Sequence, residues 1–176
     1  WLPNSPAYDA SKENFYSFDL DKAKALLAQA GVTGLETEFL ISNDYPELLD
    51  MAQIYQADLA KIGVTLNIKQ TESAVFFDAI NNRKYPGMYA ITVSRAQLEP
   101  PNLLITSGLN PDVNNSGFKN DVYTQLVKSS ATQPDLQKRK QFYTQINDLL
   151  LDEAFSLAIS SAQPRMIARA GVHGVG

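Results

Sequence analysis

A chain of 176 residues, 44% hydrophobic, with a formal net charge of −4 and a pI near 4.9, is long enough for one domain with its own core. It is too acidic, and its 15 basic residues too scattered, for a non-specific hold on nucleic acid. Cysteine is absent, which excludes disulfides, thiolate metal sites and cysteine nucleophiles.

No apolar run approaches the roughly 20 residues that span a bilayer, and no basic segment followed by an apolar core opens the chain. The first residue is Trp1 and not methionine, so the sequence reads as a processed or excised piece whose original amino terminus is missing. Residues 1–18 hold Pro3 and Pro6 with little periodicity, and are expected to be an extended lead-in or hinge segment.

Regular structure is predicted to begin at Asp19, which can cap a helix whose Ala23, Leu26, Leu27 and Ala30 share one face, with Gly31 as its left-handed stop. A strand follows at "LETEFLIS", with Leu35, Thr37, Phe39 and Ile41 on one side. The turn Asn43 to Pro46 then starts a second helix. Its Leu48, Ala52, Tyr55, Leu59 and Ile62 form an apolar stripe. Gly63 ends that helix and "VTLNIKQ" follows at once with Val64, Leu66 and Ile68 alternating inward, a strand–helix–strand unit that makes the sheet at least partly parallel.

A shorter helix is predicted from Ser73, with Val75, Phe76, Ala79 and Ile80 inward, and then a strand at "GMYAITVS". "PPNLLITSG" is compatible with one or two helical turns, and residues 108–120 are a loop by composition. Two further helices are expected, over Asp121 to Ala131 and from Pro134 through Leu150. "FSLAISS" is expected to be a final core strand, and residues 162–176 an extended tail. The whole is an α/β arrangement with a mixed, largely parallel central sheet flanked by helices over residues 19–161.

An open α/β sheet places its ligands beyond the carboxyl ends of its strands. That rule directs attention to "SRAQLEPP" after the third strand. Arg95 offers a rigid fork of donors suited to a carboxylate or phosphate, or else is a solvated loop arginine or a partner of Glu99. Ser94 and Gln97 share its position. Asn114, Asn115 and Ser116 lie in the next loop, where turn chemistry alone accounts for such residues, and Asn115 is carried forward as a ligand contact. Tyr85 and Tyr89 either line a cleft or fill the core. His173 is the sole histidine, without partners in view for a metal or a triad.

The order of these pieces resembles the carboxyl-terminal lobe of the family 5 extracellular solute-binding proteins, which serve ABC importers of peptides, nickel and related small solutes. Four stretches carry the likeness: "DLDKAKALLAQAG", "QADLAKIGVTLNI", the loop after the third strand, and "NNSGFKNDVYTQLV". The resemblance implies one lobe of a two-lobed periplasmic-binding-protein fold, with the amino-terminal lobe absent and residues 162–176 returning toward it. It further implies a periplasmic or outer-surface location and a membrane permease as partner; no cofactor and no metal site is expected from the residues. Laid on the family pattern, Val93 stands where a Trp is usual and Ala96 where an Asp pairs with a peptide ammonium group. Glu99 with Pro100 stands for a second Asp-Pro. Solute binding is therefore implied, with peptides as one class among other small polar molecules.

Two other classes stay open on the residues. A carboxylate-dependent hydrolase would need acids such as Glu99 and Asp112 to approach each other. A non-catalytic protein-interaction domain would leave the polar loops without a common cleft.

Overall fold

The computed structural model describes residues 1–93, 99–106, 108–160, 169 and 171. Helix α1 spans Leu20–Gln29; the Asp19 carboxylate accepts the Lys22 N–H at 2.8 Å, and Gly31 adopts φ +68° to end it. Only part of its predicted face is used: Ala23 and Leu27 are half-buried, while Leu26 is 54% exposed.

Strand β1, Glu36–Ser42, is the centre of a three-stranded sheet ordered β2-β1-β3, with β2 at Thr65–Thr71 and β3 at Met88–Tyr89. Both pairings are parallel. Glu36 lies opposite Thr65 and Ser42 opposite Thr71, while Phe39 and Leu40 lie opposite Met88 and Tyr89. The unbroken Phe39-Leu40-Ile41 run follows from a strand covered on both faces. Phe39 and Ile41 pack with Ala52 and Leu66 under helix α2, Glu47–Ala60. Leu40 packs with Phe76 and Ile80 of helix α3, Ser73–Asn81. The predicted α2 stripe faces inward at Leu48, Ala52, Tyr55 and Leu59, while Ile62 lies beyond the end of the helix. In α3 the expectation fails at Val75, which is 56% exposed because the sheet is met by Phe76 and Ile80 one helical turn apart.

Gly87 brings β3 against β1: a Cβ there would lie 2.2 Å from the Glu38 carbonyl oxygen, so only glycine allows this approach. Of the strand predicted over residues 87–94, Met88–Tyr89 forms, and residues 90–93 lie outside it although β1 continues through Ile41 and Ser42. β1 ends at Ser42, and Ala90 makes the last bond, to the Leu40 carbonyl at 3.3 Å. The strand predicted at "FSLAISS" does not form among the described residues; Leu157 and Ile159 alternate as expected but are exposed. Alternation makes a strand only where the segment pairs, and residues 155–160 pair with none of the described strands.

A second core lies among α4 (Pro100–Leu104), α5 (Asp121–Thr132) and α6 (Leu136–Glu153). Leu104, Tyr123, Leu126, Val127, Tyr143 and Ile146 fill it, together with Ala7 from the amino-terminal segment. Asn120 and Asp135 cap α5 and α6 through the N–H groups of Tyr123 and Lys138, each at 3.0 Å. The lead-in segment is fastened to α6: the Trp1 indole donates to Asn147 Oδ1, Asn147 Nδ2 donates to the Ala7 carbonyl, Lys12 pairs with Asp148, and Tyr16 donates to the Leu151 carbonyl. It also forms a 3-10 turn at Ala10–Lys12, which proline content and missing periodicity did not suggest. Among the described residues no helix is long and apolar enough to cross a membrane.

Candidate functional site

All three strands run the same way, so their carboxyl ends share one edge of the sheet. Ser42 is fully buried there, its Oγ accepting the Asp44 N–H at 3.2 Å, and Asn43 donates its backbone N–H to the Thr71 carbonyl at 2.9 Å. The Thr71 hydroxyl oxygen is buried without a hydrogen-bond partner among the described residues. The three helices that begin beyond these strand ends, α2, α3 and α4, have no side-chain cap, whereas α1, α5 and α6 are each capped by Asp or Asn. The positive ends of the α2 and α3 dipoles thus lie on this edge, after β1 and β2. Asp44, Glu47 and Glu72 lie beside them, with no basic residue in 42–48, 71–75 or 90–93. The edge can hold a polar solute through amides and carboxylates together.

Ser94, Arg95 and Gln97, the contacts predicted in the loop after β3, lie outside the described residues, as do Ala96 and His173. Asn115 is described and is buried. Its Nδ2 donates to the Ile80 carbonyl at 2.8 Å and to Asn81 Oδ1 at 3.2 Å, while its own Oδ1 is buried with no partner among the described residues. The backbone carbonyl of Asn115 accepts the Tyr85 hydroxyl at 2.9 Å. Asn114 Nδ2 donates to the Phe118 carbonyl at 2.7 Å, and Ser116 donates to Asn114 Oδ1. These polar side chains build the loop and seat it on α3. Asp112, the second acid of the hydrolase alternative, is paired with Lys128 at 3.0 Å.

The loop also borders an open surface pocket with about 370 Å³ of space, lined by Arg83, Tyr85, Gly87, Tyr89, Asn115, Ser116 and Phe155 among others. The pocket lies on the α3 side of the sheet, where the chain enters β3, and so away from the carboxyl edge. Tyr85 and Tyr89 meet edge to face at 5.2 Å, so they fill core and line the pocket at once. Burial, with Tyr85 beside it, pushes the Tyr89 phenol up to about 12, and burial also raises Tyr85, partly offset by Arg83. Sequence reasoning missed Arg83 and Gly87. A glycine between a proline and a methionine carries no signal of close approach, and Arg83 sits where a helix normally takes glycine to finish. No group of three or more metal-ligating side chains occurs among the described residues.

A parallel α/β lobe of this kind places its ligands beyond the carboxyl ends of its strands. The profile of the bacterial extracellular solute-binding proteins, family 5, matches residues 1–115, and the chain belongs to that family. It is a family of solute binding and not of catalysis. HbpA2 from Haemophilus parasuis is similar at 28% identity and TM-score 0.75, over 86% of this chain and 32% of that one. A dipeptide binding protein from Pseudoalteromonas sp. SM9913, in complex with Met-Leu, is similar at 26% identity and TM-score 0.69, over 88% and 32%. The ABC transporter-associated periplasmic binding protein DppA from Helicobacter pylori, in complex with peptide STSA, shares the fold at 24% identity and TM-score 0.70, over 88% and 31%. The chain therefore spans about a third of the length of these structures. No curated protein sequence matches it.

Proposed function

We propose that this chain is the carboxyl-terminal lobe of a solute receptor for an ABC importer, which closes with a second lobe over a small peptide or similar polar solute and presents it to a membrane permease. The observation that carries the reading is the carboxyl edge of the sheet, where the uncapped starts of α2 and α3 lie with the Asp44, Glu47 and Glu72 carboxylates. Carboxylates on the edge suit an ammonium group, and Arg95 would meet the solute's anionic group, with Ser94 and Gln97 beside it. Asn115 contributes by holding its loop, because its amide is committed to α3. Family membership and two similar structures that hold peptides support this class of solute, and extracellular solute-binding proteins act outside the cytoplasmic membrane.

Calorimetry with Met-Leu and with its N-acetylated form tests the reading. Tighter binding of the free amine, reduced in Glu72→Gln, is the expected result. Equal affinities for the two forms, unaffected by that change, would remove the edge carboxylates from the site.

A further inference from the structure

Helix α3 ends in a six-to-one closure: the Lys84 N–H donates to the Ala79 carbonyl at 2.8 Å and the Arg83 N–H to the Ile80 carbonyl at 3.3 Å. The residue between them must be left-handed, a place that glycine takes without strain, yet here it is Arg83 at φ +53°. A strained arginine where glycine would serve calls for a use of its side chain. Its Nη2 donates to the Asn114 carbonyl at 2.9 Å, which occupies one of the five N–H donors of the fork. No described carboxylate pairs with it: Asp112, across the neighbouring pocket that Arg83 also lines, is paired with Lys128, and the pocket shared with Tyr85 and Tyr89 has no acidic lining. The Tyr89 hydroxyl adds a second donor with no partner among the described residues, and Tyr85, Tyr89 and Phe155 supply aromatic walls.

We propose that this pocket is a second binding site, separate from the carboxyl edge, for a small carboxylate with an apolar or aromatic body, held by the Arg83 guanidinium against the tyrosine pair. Its volume, about 370 Å³, falls at the small end of ligand sites of roughly 300–1,000 Å³. The lining offers donors and no anion, so the ligand needs no ammonium group.

Calorimetry with N-acetyl-L-phenylalanine and N-acetyl-L-phenylalaninamide, which differ in charge and hardly in shape, tests the site. The acid is expected to bind at least about ten-fold more tightly than the amide, the scale of a charge-assisted bidentate contact. Arg83→Gly relaxes the left-handed residue while deleting the guanidinium, so it should fold and lose the preference. Arg83→Gln keeps the backbone strain and should lose it too. Equal binding of acid and amide, binding of neither, or an unchanged preference in both variants overturns the proposal, and so does displacement of the acid by saturating Met-Leu.

Discussion

Asn115 Nδ2 donates to the Ile80 carbonyl at 2.8 Å, tying the loop before α5 to the last turn of α3 at a buried position. Truncation would leave part of that helix end unpartnered beside a void. Asn115→Ala is expected to destabilise the protein by about 1–3 kcal/mol, read as a lower urea midpoint at unchanged slope. Asn115→Asp should cost more at neutral pH, because a carboxylate cannot donate to Ile80 and would be buried beside its carbonyl.

Gly87→Ala places a methyl group 2.2 Å from the Glu38 carbonyl oxygen and 2.5 Å from Thr37 Oγ1, so β3 must move off β1. A loss of about 1–3 kcal/mol is expected, the usual scale of overpacking. Faster amide exchange at Ala90, which bonds to Leu40, is the local sign of it. Stability equal to the parent protein would show that β3 is loosely held.

Alkaline pH should weaken the fold through its buried phenols. Tyr89 is held up to about 12 by burial, whereas an unfolded tyrosine ionises near its ordinary 10. The folded state then keeps a proton that the unfolded state has released, so stability that is intact below pH 10 is lost as pH rises through about 12. Tyr123 and Tyr143, raised by the same cause, act in the same direction. Tyr89→Phe should match the parent near pH 7 and exceed it above pH 10 in urea midpoints. An unchanged alkaline limb would remove Tyr89 as the cause.

Arg95→Ala is expected to weaken binding of a solute with an anionic group by about 2–5 kcal/mol, the scale for losing one partner of an enclosed ion pair. Titration calorimetry with Met-Leu and its C-terminal amide checks this. The amide's affinity should barely change, and equal loss for both compounds would mean that Arg95 supports the loop and does not meet the carboxylate.

Much of the architecture was legible because each helix and strand announces itself locally. Asp19 caps α1 as its place before the apolar face suggests, and the α2 stripe from Leu48 to Leu59 packs on the sheet as its spacing requires. What the sequence misjudged depends on partners. "FSLAISS" alternates like a strand but its described residues pair with none, and of "GMYAITVS" Met88 and Tyr89 pair with β1. The site was legible as an edge and not as contacts. Asn115 carried only a turn's composition, and its bond to Ile80 joins residues 35 apart in the chain. Arg83 gave no sign of its left-handed backbone, since ordinary αL positions favour glycine or asparagine.

The sheet and the helical pair keep separate apolar cores, and several of the bonds between them are polar and local to one loop: Arg83 to Asn114, Tyr85 to Asn115 and Asn115 to Ile80. Such a seam lets cooperativity break along it. Under native-state hydrogen exchange the molecule should open as two units of different free energy, β1 and β2 protected together and α5 and α6 together, with residues 110–118 exchanging ahead of both. Energy put into the seam would travel to either unit, while a cavity made inside one core would leave the other's protection intact.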